Sequence, residues 1–138
     1  MTRYSPDDAT HTCAAEVRFI EGLLALAASR RRWGGRALDA GKEAVARCRA
    51  LDKRCPGEHA ELLARCLLTG ARQLLRRRRA LEALPLAEEA VTLTRPVGGA
   101  PLTVSLHCLA TALEALRRHD EAATALAEAG RVSPPPEE

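Results

Sequence analysis

At 138 residues, with 46% of them apolar and only Tyr4, Phe19 and Trp33 for aromatics, the chain has room for one domain whose core must be built from Leu, Ala and Val. Short β-branched alternating segments are missing and the compact Gly/Pro cluster is Pro96 to Pro101, which excludes a β-sandwich and leaves an all-α protein. The net charge of +3 is uneven: residues 1–79 hold 17 Lys and Arg against 9 Asp and Glu (+8), whereas residues 80–138 hold 4 against 9 (−5). Such a dipole can steer an anionic partner to the front half or favour head-to-tail self-contact.

Residues 1–11, with Pro6 and Asp7-Asp8, read as a flexible N-terminus without an apolar signal region. A first helix is expected from about Thr12 to Arg31, with Val17, Ile20, Leu23, Leu24 and Ala27 inward. Arg30-Arg31-Arg32 and Gly34-Gly35 break it, basic residues and glycine being a helix stop. A second helix over about 36–53 buries Leu38, Gly41, Val45, Cys48 and Leu51, and Pro56-Gly57 ends that first hairpin. The third helix, about 58–77, and the fourth, about 80–94, form a hairpin around Arg76-Arg77-Arg78-Arg79. Pro85 removes a backbone hydrogen bond unless it sits in a first turn, so the fourth helix is expected to start late, near Leu81, or slightly bent.

The segment Arg95–Pro101 reads as a linker. The fifth helix, about 102–118, has the stripe Leu102, Leu106, Leu109, Leu113 and Leu116, and Asp120 caps a sixth that continues to about Gly130. The tail 133–138, rich in Pro and Glu, is expected to be disordered. The longest apolar run, Leu23 to Ala28, is six residues, far short of a membrane span. Five scattered cysteines, Cys13, Cys48, Cys55, Cys66 and Cys108, do not suggest a disulfide framework, and a reducing cytoplasm is the expected location.

The second helix of each hairpin repeats small residues at one spacing: Ala37, Gly41, Ala44; Ala83, Ala87, Ala90; and Ala122, Leu126, Ala129. Small side chains there let paired helices approach closely. Residues 37, 83 and 122 are separated by 46 and then 39 positions, as inter-hairpin loops of different length would allow. With Leu106, Leu109, Ala110 and Leu113 ahead of Asp120-Glu121-Ala122, and Leu67, Gly70, Ala71 and Leu74 ahead of Glu82-Ala83-Leu84, the pattern resembles the tetratricopeptide repeat (TPR). The form is the slightly long one of kinesin light chains and bacterial regulators. The resemblance implies about six helices in three antiparallel helical hairpins (about 12–53, 58–94 and 102–130) stacked as a short right-handed solenoid.

The resemblance also implies a concave groove lined by the first helix of each hairpin. Its register puts Phe19 and Leu26 there from the first hairpin, Arg65, Leu68, Arg72 and Arg76 from the second, and Val104, His107 and Thr111 from the third. Three arginines at steps of seven and four suit an acidic or C-terminal peptide. The Asn and Lys set of chaperone-binding members is missing, the chain having no Asn.

Other chemistry is discounted. Cys55-Pro56-Gly57-Glu58-His59 with Cys66, His11 with Cys13, and His107 with Cys108 invite a metal, but no Cys-x-x-Cys or His-x-x-x-His pair anchors one. Small buried cysteines and exposed histidines are expected instead, with no cofactor, no metal and no enzymatic activity. The expected function is a non-catalytic protein–protein interaction module for a protein or peptide. The alternatives are a nucleic-acid-associated regulator using the basic half, or a module that self-assembles through an apolar flank at Leu109, Leu116 and Leu126.

Overall fold

A computed structural model of the chain describes residues 6–29 and 35–132, and among these it is all-helical, without strands. The helices are α1 (Pro6–Ala28), α2 (Arg36–Arg54), α3 (Ala60–Arg76), α4 (Ala80–Thr94), α5 (Gly99–Ala115) and α6 (His119–Val132). Residues 1–5 of the expected flexible N-terminus, the Arg30–Gly34 part of the first break, and the tail 133–138 with Pro134 lie outside the described residues. The span 12–132, expected as one domain, packs as two compact units. One holds α1 and α2, the other α3 to α6.

In the first unit α1 begins six residues ahead of the expected start. Pro6 opens it because a first helical residue has no intrahelical use for an N–H, and proline's fixed φ suits the position. Residues 6–11, expected to be flexible, are therefore helical. Ile20, Leu24 and Ala27 of α1 are buried, and α2 buries Ala40, Gly41, Ala44, Cys48 and Leu51. The expected inner residues Leu38 and Val45 are only half-buried. The inward face of α2 is therefore the one that carries Ala40, Gly41 and Ala44.

The second unit is two hairpins in which α4 packs on both α3 and α5, and α3 also meets α5. Helix α3 is the most enclosed, burying Leu62, Leu63, Ala64, Cys66, Leu67, Leu68, Gly70, Ala71, Gln73 and Leu74. Ala83, Ala87 and Ala90 of α4 have no exposed surface at all, so neighbouring helices press directly on their methyl groups. In α6 the buried small residues are Ala122, Ala125 and Ala129, while Leu126 stays 43% exposed. Leu109 and Leu116 of the expected open flank pack against the cluster of Leu84, Val91, Leu102, Leu106 and Leu113, which leaves Leu126 outside.

Both hairpins turn in the same way. The Arg79 N–H donates to the Leu74 carbonyl (2.9 Å) and the Arg78 N–H to Leu75 (3.0 Å). Thirty-nine residues on, Arg118 donates to Leu113 and Arg117 to Glu114, both at 2.9 Å. Arg78 and Arg117 have φ of 61° and 62°, the left-handed residue of a Schellman cap, normally glycine. Arg79 then pairs with Glu82, and Arg118 with Glu121.

Two boundaries differ from expectation for reasons of proline and capping. Pro85 is the sixth residue of a continuous α4, exposed, and the helix is closed from Arg79 by bonds to its carbonyl from Glu82 (3.2 Å) and Ala83 (3.1 Å). Helix α5 starts at Gly99 and takes Pro101 into its first turn, where the missing N–H costs nothing, so the linker shrinks to Arg95–Gly98. Gly98 holds φ at 67° to make that entry. Asp120 lies in the first turn of α6 instead of capping it.

Candidate functional site

The first helices of the two hairpins in the second unit, α3 and α5, lie side by side. At their N-terminal halves they enclose an open pocket of about 240 Å³. Ala64 and Leu68 of α3 and Pro101 and Val104 of α5 line it with carbon, and Glu61 and Arg65 flank it. Leu68 is buried and forms floor, whereas Val104 is 40% exposed and forms rim. Of the residues expected in the groove, the pocket thus brings together Arg65, Leu68 and Val104.

Farther along α3, Arg72 and Arg76 are exposed. Burial pushes the Cys108 thiol of α5 up from its ordinary value, and the Arg72 charge on α3 draws it part of the way back. Arg65, Arg72 and Arg76 have no ion-pair partner among the described residues. His107 and Thr111 are exposed on α5, with the Thr111 hydroxyl donating to the His107 carbonyl of its own helix (2.9 Å). The face therefore carries an apolar pocket at one end and unpaired guanidiniums along its length. Arg78 and Arg79 of the four-arginine run are taken up by the turn and by Glu82, to which Arg79 Nη2 donates at 2.7 Å.

Phe19 and Leu26 belong to the first unit, where they are 48% and 45% exposed. The Phe19 ring is covered on one side by the Arg47 guanidinium, 4.3 Å from its centroid. Arg47 is held there by Glu43 (3.0 Å) and Glu16 (3.3 Å), which raise its pKa further above the ordinary guanidinium value. Arg47 was missed from sequence because its partners lie on two helices. Only the Glu43 pair, four residues apart on α2, has a local signal.

The first unit also assembles a cluster of metal-ligating side chains. Cys13 of α1 and Cys55, which ends α2, have their sulfurs 3.7 Å apart, and ligand atoms of Cys55, Glu58 and His59 all lie within 4.8 Å of one another. The Cys55 thiol is pushed up from its ordinary value, first by its hydrogen bond with Cys13 and then by desolvation. His59 is not an exposed histidine, as expected, but half-buried, with Nε2 shut off from solvent and without a hydrogen-bond partner. Cys13 and Cys55 are half-buried, while Cys48, Cys66 and Cys108 are buried. Cys66, grouped with Cys55 by sequence proximity, belongs to α3 in the other unit.

No family model, curated protein or solved structure matches the chain. No helix among the described residues is long and apolar enough to cross a membrane.

Proposed function

We propose that the chain is a non-catalytic interaction module of tetratricopeptide-repeat type, and that the α3–α5 face takes an extended acidic segment of a partner protein. The observation that carries this reading is the pairing of the carbon-lined pocket with three unpaired arginines on one helix face. An apolar side chain of the segment enters between Leu68 and Val104. Acidic residues beyond it meet Arg65, Arg72 and Arg76, where charge-assisted bonds add orientation. The nucleic-acid alternative is less well supported, since Arg78 and Arg79 are engaged in the turn and aromatic stacking groups are scarce. Self-assembly has little support, since Leu109 and Leu116 are packed inward.

Fluorescence anisotropy with an array of labelled peptides tests the proposal. Each peptide carries one Leu or Phe flanked by Asp and Glu, with a Lys-flanked version beside it. Acidic peptides should bind with an affinity that falls as salt rises, and Arg72→Glu or Val104→Lys should weaken binding at least about tenfold. Equal binding of acidic and basic peptides, or no effect of either substitution in a protein of unchanged circular dichroism, would remove the reading.

A further inference from the structure

The cluster at the end of α2 lies outside the α3–α5 face and plays no part in the proposed interaction. Its frame is a tight turn. Pro56 and Gly57 occupy the central positions, Gly57 has φ of 81°, and the Glu58 N–H donates to the Cys55 carbonyl at 3.2 Å. This is the geometry of a type II turn, which no residue with a Cβ adopts readily at the glycine. The Asp52 carboxylate anchors it by accepting from the Gly57 N–H at 3.2 Å. Cys55, Glu58 and His59 are consequently presented by one short rigid segment, and Cys13 is brought to it by the packing of α1 on α2.

The spacing of the two sulfurs matches a cation of one kind. A tetrahedral Zn²⁺ with bonds of about 2.3 Å to two thiolates holds their sulfurs about 3.8 Å apart, from elementary geometry. The Cys13 and Cys55 sulfurs stand at 3.7 Å without being bonded. A disulfide would make no use of the carboxylate and imidazole beside them. The buried Nε2 of His59 also lacks a partner, and a buried polar atom left unpaired points to a missing neighbour.

We propose that Cys13, Cys55 and His59, with Glu58 in the fourth position, form a binding site for a thiolate-preferring divalent cation of Zn²⁺ type. The site ties the turn after α2 to α1. Two sulfur ligands select a borderline-soft ion over Mg²⁺ or Ca²⁺. On binding, the two thiols lose their protons to solvent and each sulfur donates a lone pair to the cation, and nothing is oxidised or reduced. The cation stabilises the hairpin of the first unit, whose own core is small.

The test uses the full chain, kept reduced with a phosphine and titrated with Co²⁺ and then Zn²⁺. The expected result is one Co²⁺ per chain, with thiolate charge-transfer absorption and the strong visible bands of a tetrahedral site, displaced by Zn²⁺. The unfolding transition should move upward with free Zn²⁺. Cys55→Ser and His59→Gln should each weaken binding by more than the 10- to 100-fold of about the usual outer-shell loss, while His119→Gln leaves it unchanged. If a ligand variant fails to fold, the exposed Glu58→Gln is compared instead, and the titration of the native chain stands by itself. Absence of the charge-transfer absorption in the reduced chain would overturn the proposal. So would absorption that survives both Cys55→Ser and His59→Gln. A chain that forms a Cys13–Cys55 disulfide on oxidation yet takes up no cation when reduced would overturn it too.

Discussion

Ala87 and Leu126 occupy the same place in the 39-residue repeat of the second unit, yet one is wholly enclosed and the other is 43% exposed. Helix α4 has α3 and α5 against it, whereas α6 packs on α5. Ala87→Leu forces three further carbon atoms into a site with no room, and overpacking of this kind costs about 1–3 kcal/mol. For a unit of this size each kcal/mol lowers the melting temperature by about 4–8 °C. Leu126→Ala removes the same three carbons from a side chain that buries about half its surface, so its loss is no more than about 1 kcal/mol. Helix propensity differs little between Ala and Leu and works against the leucine in both cases. Urea and thermal unfolding followed by circular dichroism at the helical band read both variants. An Ala87→Leu protein as stable as Leu126→Ala would mean that α4 is not clamped between its neighbours, and the packing argument would fail.

Leu106, 1% exposed within the α4–α5–α6 cluster, should lose about 2–5 kcal/mol when changed to Ala, measured by the same urea unfolding. Arg78→Gly and Arg117→Gly each relieve a left-handed residue that carries a Cβ, offset in part by glycine's extra freedom when unfolded. Each should stabilise by about 0.5–1 kcal/mol, and the pair should be additive in thermal unfolding. The Arg95 guanidinium, donating to Glu128 (3.2 Å for its second contact), holds that carboxyl below the usual range, so its contribution is present above the unfolded pKa and is lost as pH falls through the folded one. Partly exposed as it is, the pair supplies at most about 1 kcal/mol. Glu128→Gln should therefore be less stable than the native chain at neutral pH and equal to it in acid, as a series of unfolding curves across pH would show.

Much of the helical architecture was legible because helix packing writes itself locally. Leu67, Ala71 and Leu74 recur as Leu106, Ala110 and Leu113, and Ala83 and Ala90 recur as Ala122 and Ala129, since equal positions meet equal neighbours. What escaped notice depends on contacts distant in sequence or on backbone geometry that does not require its usual residue. Cys13 and Cys55 are 42 positions apart, so no ligand spacing could reveal them. The left-handed caps fall on Arg78 and Arg117 where glycine would have announced them, though Arg-Arg followed three residues later by Glu occurs at both turns. On α2, Leu38 and Val45 appeared to be inner residues by hydropathy alone, but the closeness of α1 favoured Ala40 and Ala44. Leu126 departs from the small-residue pattern because, among the described residues, no further helix presses on α6 as α5 presses on α4.

The same repeat separates what packing demands from what it leaves free. Several core pairs 39 residues apart keep their chemistry, as Leu67 with Leu106, Ala71 with Ala110 and Ala83 with Ala122 do, although Cys66 with Ser105 and Gln73 with Ala112 do not. On the α3–α5 face the equivalent pairs diverge: Arg65 with Val104, Leu68 with His107, Arg72 with Thr111. Packing alone gives no reason for the difference, because both members of most of these pairs are exposed and make no core contact. The divergence places the guanidiniums on α3 and the smaller or neutral groups on α5, so that a segment lying between the helices meets charge along one side and little along the other. On the proposed function, such a face would take an acidic chain in one lateral orientation. Moving an arginine across, in the double variant Arg72→Thr with Thr111→Arg, should preserve salt-dependent binding of acidic peptides while changing which of them bind best in the anisotropy array. An unchanged peptide ranking would show that the asymmetry of the face carries no selectivity.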